Sequence, residues 1–155
     1  SSITIGNTAP SNLVVSVTSS DSFYNDSTLT CSATASDLDV TENVDSLSYS
    51  YSWSTGDTGS TLTLNSGIAS PGGTITCSVV ASDGTDSVSG TDSQGITNRT
   101  PVVDSVSLPQ NVTAATSSVI CSASGSDLDG EVPTLSYVWA VKWQPFYLCT
   151  TTSFL

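Results

Sequence analysis

The sequence predicts an all-β protein of tandem sandwich-type units, the second of them incomplete. Three observations carry that expectation. First, residues 27–35 and 47–54 alternate with a period of two, as half-buried antiparallel strands do when successive side chains point to opposite faces. Leu29, Cys31 and Ala33 fall on one face of the first run. Leu47, Tyr49, Tyr51 and Trp53 share a face of the second, with Ser48, Ser50, Ser52 and Ser54 opposite. Second, the stretch recurs: CSATASDLD from Cys31 returns as CSASGSDLD from Cys121, and Asp37 and Asp127 lie 90 residues apart. Third, no segment carries helical periodicity of useful length. A repeat of about ninety residues suits a β-sandwich and is far too long for a solenoid.

Residues 1–10, SSITIGNTAP, parallel 93–101, SQGITNRTP. Residues 1–6 are therefore expected to be the closing strand of a preceding repeat, followed by an Asn-x-x-Pro linker in which Pro ends the strand. The first complete unit spans 7–97. Strands are expected near 12–18, 27–35, 47–54, 60–64, 74–82 and 86–96, with Gly90 a candidate break in the last. Turn signals separate them: Asn25-Asp26, the Asp37–Asp45 loop, Gly56-Asp57 and Pro71-Gly72-Gly73. Six or seven short strands so spaced describe a Greek-key sandwich. The second unit begins at Asn98 and follows the first through 141. Residues 142–155 change composition and read as a divergent tail, leaving that unit short of about three strands.

The formal net charge is −12, with fourteen acidic residues against Lys142 and Arg99. This balance excludes nucleic acid, whose binding needs clustered bases to displace counterions, and disfavours anionic membrane surfaces. No apolar run reaches membrane-spanning length. Histidine is absent, which removes the usual general base and the usual zinc ligand together. With a single lysine as well, no nucleophile–base pair assembles, so no enzyme and no organic cofactor are expected. Methionine is absent even from position 1, as expected for a processed or excised piece of a longer product.

Cys31, Trp53 and Cys77 stand in the Cys…Trp…Cys order of an immunoglobulin-type core. Both cysteines fall on inward positions of strands expected in opposite sheets, where a disulfide would pack against Trp53; two buried thiols are the alternative. Trp139 takes the same core role in the second unit. Cys121 matches Cys31, but nothing matches Cys77. Cys149 either pairs with Cys121 in a nonstandard way or pairs between chains.

Asp37 and Asp39, and likewise Asp127 and Asp129, follow equivalent strands, and Asp83 approaches the first pair from another loop. Carboxylates so placed offer hard oxygen ligands for a weakly held Ca2+; the alternative is an Asp-rich turn capping its own amides. Asn25, Asn98 and Asn111 begin Asn-x-Ser/Thr acceptor sites for glycosylation, with Pro101 counting against Asn98.

The linker N-x-x-P followed by TLTCSATASDLD, LSYSYSW, GSTLTL, SPGGTITCSVVASDG and a new N-x-x-P resembles bacterial-type Ig-like repeats, the PKD and cadherin-like modules of long secreted or cell-surface proteins. The resemblance covers residues 1–140. It implies an extracellular location and adhesion, spacing or matrix-building without catalysis. Cadherin-like repeats hold calcium through an Asp-x-Asp after the second strand, which corresponds to Asp37 and Asp39, and to Asp127 and Asp129. The expected partners are copies of the chain or neighbouring repeats, joined head to tail in a fibre or filament. The alternative is a carbohydrate-binding accessory module of a secreted hydrolase. Surface glycans would then stack on exposed aromatics, for which Phe23, Tyr24 and the tail are candidates.

Overall fold

The computed structural model describes residue 3 and residues 6–41, 46–108, 118–143 and 146–154. The chain divides into two compact units, Ser1–Asn98 and Arg99–Leu155. Both are built from antiparallel strands.

Unit 1 contains β1 (Ser11–Ser19), β2 (Thr28–Ser36), β3 (Ser48–Trp53), β4 (Thr61–Thr63), β5 (Thr74–Ser82) and β6 (Ser87–Gly95). They form two three-stranded sheets, ordered β1-β2-β4 and β3-β5-β6. Alternation explains the packing. Val17, Leu29, Cys31 and Leu62 come from the first sheet, and Trp53, Ile75, Cys77 and Val79 from the second. Together with Leu64, Ala69 and Ile96 they form one buried cluster, while the Ser and Thr between them face outward. Leu29 and Val79 are fully buried, each worth roughly 1.5–3 kcal/mol relative to exposure.

Two local features depart from the sequence expectation. The loop after β2 holds one helical turn, α1 (Leu38–Thr41). Asp37 caps it, its Oδ1 accepting the N–H of Asp39 at 2.8 Å, which satisfies a donor that a helix start leaves orphaned. Gly90 does not break β6. A Cβ there would stand 3.2 Å from Leu13 and 3.3 Å from Val15, so the glycine admits β1 side chains close to the strand.

Unit 2 contains β7 (Val102–Ser107), β8 (Ser122–Ser126), β9 (Thr134–Trp143) and β10 (Phe146–Phe154), paired as β7-β8 and β9-β10. Residues 142–155 are thus not a tail appended to half a unit. Their main part is a strand running back along β9, and only Gln144 and Pro145 separate the two. In unit 1 the chain leaves β3, passes through β4 and returns as β5; in unit 2 it returns at once. The register shows the equivalence: Cys77 lies opposite Trp53, and Cys149 lies opposite Trp139. Of the closing strand expected over residues 1–6, only Ile3 and Gly6 are among the described residues, and neither is in a strand.

Candidate functional site

Both disulfides join one sheet of a unit to the other. Cys31 on β2 bonds Cys77 on β5, and Cys121, one residue before β8, bonds Cys149 on β10. Cys149 falls soon after Trp139 because β9 leads directly into β10, without the β4 detour that separates Cys77 from Trp53 in unit 1. Two disulfides fit an oxidising environment of the extracellular kind. Among the described residues, no helix is long and apolar enough to cross a membrane.

Trp53 and Trp139, at equivalent places in the two units, differ. Trp53 is 4% exposed and its Nε1–H donates to the Gly59 carbonyl at 2.9 Å. Trp139 is 45% exposed, so its expected place in a closed core is corrected: the β9–β10 hairpin leaves this face open. Tyr137, two residues earlier on the same face, is 44% exposed. Phe23, offered as an exposed aromatic, instead packs against the unit 1 core.

The sequence-predicted acids gather at one end of unit 1 through two linker residues. Asn7 Nδ2 donates to Asp83 Oδ2 at 3.1 Å and to Asp86 Oδ2 at 2.9 Å. The next residue, Thr8, donates its backbone N–H to Asp39 Oδ2 at 2.6 Å. Asp83 also accepts the N–H groups of Asp86 and Thr85, and these hold its carboxyl below the ordinary carboxylate range. Asp37, adjoining Asp39, is 7% exposed, and its Oδ2 is buried without a hydrogen-bond partner.

Unit 2 repeats the arrangement. Asp127 Oδ1 accepts the Asp129 N–H at 2.7 Å, Asp127 Oδ2 is again buried without a partner, and Asp129 Oδ2 accepts the N–H of Arg99. There the likeness stops. The Arg99 guanidinium also pairs with Asp129 Oδ1 at 2.8 Å and donates to the Leu128 carbonyl at 3.1 Å, and the Asp129 side chain is fully buried.

These are two versions of one oxygen-lined niche. In unit 1 the orphaned Asp37 oxygen beside Asp39 suits a hard cation. Yet among the described residues no three acidic or metal-ligating side chains converge into a preformed cage. Calcium takes six to eight oxygens, so a niche with two carboxylates leaves most ligands to water and carbonyls, and suits weak binding. In unit 2 the guanidinium already stands against the second carboxylate.

Of the acceptor asparagines, Asn98 is exposed and Asn111 lies outside the described residues. Asn25 is 3% exposed, which corrects its candidacy: a glycan cannot be carried on a side chain packed beneath the surface.

Asn7, Asp86, Asp92 and Arg99 were not singled out from sequence. Asp92 had a readable signal, since it falls on the half-buried face of β6 with Val88, Gly90 and Gln94. Arg99 had one too: it is the sole base near either Asp-x-Asp pair in the repeat pattern. No protein-family model, no curated protein sequence and no solved structure matches the chain.

Proposed function

We propose that this chain is a non-enzymatic structural or adhesive repeat protein of the cell exterior. In this reading its units are tandem Greek-key, Ig-like sandwiches of the PKD or cadherin-like kind, and the chain is a building block of a surface fibre or filament. The observation that carries it is repetition of a mechanical plan. Each unit is stapled sheet to sheet by a disulfide, and in each the residue after the linker Asn donates its N–H to the second acid of Asp-Leu-Asp. Anchoring the entering chain to its own unit is what a load-transmitting repeat requires. The partners are copies of the chain or neighbouring repeats, met head to tail. Calcium is held weakly, in unit 1, by Asp37 and Asp39, with Asp83 nearby.

The test is assembly and adhesion of the purified chain, followed by sedimentation, electron microscopy and aggregation of protein-coated beads, with and without calcium. Linear assemblies or bead clustering are expected. A chain that stays monomeric at every concentration and leaves beads dispersed would sink the proposal.

A second reading, a carbohydrate-binding accessory module of a secreted hydrolase, is favoured by one observation: Tyr137 and Trp139 expose their rings on one face of β9. Binding on a glycan array that is lost in Trp139→Ala would decide for it.

A further inference from the structure

The detour that unit 2 omits closes one side of unit 1. The Ser60 carbonyl accepts the Cys31 N–H at 2.7 Å, and the Leu64 N–H donates to the Ser27 carbonyl at 2.8 Å. Between them β4 sets Thr61, Leu62 and Thr63 opposite Thr30, Leu29 and Thr28. Alternation turns Leu62 and Leu64 into the core cluster, and Gly59 supplies the acceptor for the Trp53 indole. Unit 2 keeps only the receiving side. With Cys121 at the place of Cys31, residues 118–120 stand where 28–30 do, and Trp139 stands where Trp53 does. The two-residue link between β9 and β10 leaves no room for a counterpart of the detour. The consequences are local. Residues 118–120 belong to no strand, and Val119 is half-buried where Leu29 is fully buried. Ile120 is 69% exposed, and Trp139 lies half open.

We infer that this open side of unit 2 is a seat for one extended strand, and that Ser2-Ile3-Thr4-Ile5 of a second copy occupies it. The inference rests on the head-to-tail reading proposed above and goes further by naming both halves of the contact. Unit 1 shows what fits such a seat: in Thr61-Leu62-Thr63-Leu64, uncharged hydroxyl and aliphatic residues alternate. Ser2–Ile5 has the same pattern, and Ile3 is 91% exposed in its own copy. Laid along 118–120 as β4 lies along β2, the segment sets Ile3 opposite Val119, as Leu62 is opposite Leu29. Its backbone then takes up N–H and C=O groups that no ladder uses, as in strand addition to an open edge. By the linker repeat the same segment also parallels 92–96. There Asp92 and Gln94 share the half-buried face and only Ile96 is aliphatic, whereas β4 offers an aliphatic pair to match Ile3 and Ile5. Charge permits the contact. Ser1–Gly6 and residues 118–121 carry no charged side chain, so two copies of an acidic chain can meet there without like charges facing each other.

The test is titration of the full chain, too dilute to assemble, with the synthetic peptide SSITIGN, followed by tryptophan fluorescence and amide hydrogen exchange. A saturable blue shift is expected, absent in Trp139→Phe, together with new protection of the amides of residues 118–120. The peptide carrying Ile3→Ser and Ile5→Ser should bind about tenfold more weakly or worse, because it loses two buried aliphatic groups. The peptide GSTLTLN, the unit 1 segment itself, should compete. Protection on β10 instead would place the segment at a different edge and overturn the proposal. So would equal binding of the serine-substituted peptide, or binding of GSTLTLN without SSITIGN, or no binding of either. Sedimentation of the concentrated chain separates this inference from the reading beneath it. Assembly undiminished by Ile3→Ser with Ile5→Ser overturns the inference and leaves the head-to-tail reading standing. A wild-type chain that stays monomeric sinks that reading and the second-copy occupant together.

Discussion

Asp92 on β6 accepts the backbone N–H of Val17 on β1 at 2.8 Å, although the two strands belong to different sheets of unit 1. A carboxylate on the half-buried face of a strand is ordinarily a liability. Here it satisfies a donor where two sheet edges meet, and its own neighbours complete the arrangement: Ser93 N–H donates at 2.9 Å and Gln94 Nε2 at 3.4 Å. Val17 itself is 3% exposed, so an amide left without this acceptor has little access to water. Asp92→Ala should therefore destabilise unit 1 by about 1–3 kcal/mol, the usual cost of stranding a buried donor. Urea denaturation of the variant against the wild type measures this; no change in midpoint would mean that solvent replaces the carboxylate freely.

The same bond sets a pH dependence. The Val17 N–H holds the Asp92 carboxyl below its ordinary range. The Ser27 hydroxyl does so for Asp21, and the Asp86 and Thr85 amides for Asp83. For each, the folded value lies below the unfolded one, so the unfolded chain binds more protons as the solution is acidified. The stabilisation is then fully present above the unfolded carboxyl pKa, near 3.9, and is lost as pH falls through the depressed folded values. With no histidine in the chain, side-chain titration contributes little between about pH 5 and 8. The stability of unit 1 should thus be nearly flat there and fall below about pH 4. Asp92→Ala should make that acid limb shallower; an equally steep limb in the variant would assign it to other carboxylates.

Trp53 and Trp139 should be distinguishable in solution. Trp53 is buried with its indole N–H bonded, whereas Trp139 is half exposed. In a Trp143→Phe background, which leaves these two tryptophans, Trp53→Phe should remove the blue-shifted, quencher-resistant part of the fluorescence, and Trp139→Phe the acrylamide-accessible part. Trp53→Ala should cost about 3–5 kcal/mol, as large-to-small core substitutions do, and Trp139→Ala markedly less. Equal quenching of the two single-Trp variants would contradict the openness of the β9 face.

These tryptophans also mark how far the sequence could be read. Alternation around Leu29, Cys31, Tyr49, Tyr51 and Trp53 located the strands of unit 1 because each apolar residue there has an opposite sheet to meet, so period and burial agree. The same local pattern at Tyr137 and Trp139 lies on a strand whose partner is a hairpin return, and burial does not follow. What decides that is the connection after Trp143, and a two-residue link looks, in sequence, like an interruption of the repeat. The acids were legible as an end cluster through Asp-Leu-Asp and Asp83. Their partners were not: Asn7, Thr8 and Arg99 reach them across 76, 31 and 30 residues, and no local spacing encodes such bonds. Asn25 failed for a simpler reason, since an acceptor motif carries no information about depth.

The disulfides should matter unequally. By loop length alone the two are similar. Cys31–Cys77 spans a sequence separation of 46 and Cys121–Cys149 one of 28, and the chain-entropy relation gives roughly 4 kcal/mol for either. The difference lies in what else holds each unit. Unit 1 has a buried cluster drawn from two three-stranded sheets. Among the side chains of unit 2 whose burial is described, only Pro101 and Cys149 are buried apolar ones, while Val102, Val106, Ile120, Val132, Tyr137, Val138 and Trp139 are all substantially exposed. A small β unit with so many apolar side chains left exposed depends on its staple. Mild reduction should therefore open unit 2 first, with protease cleavage appearing between residues 99 and 155 while unit 1 remains intact. Cys121→Ala with Cys149→Ala should give the same cleavage without reductant. The corresponding pair of changes in unit 1 should lower its denaturation midpoint yet leave a cooperative transition. Simultaneous loss of both units on reduction, or persistence of unit 2 without its bridge, would show that the open faces of β9 and β10 are held by something other than the disulfide.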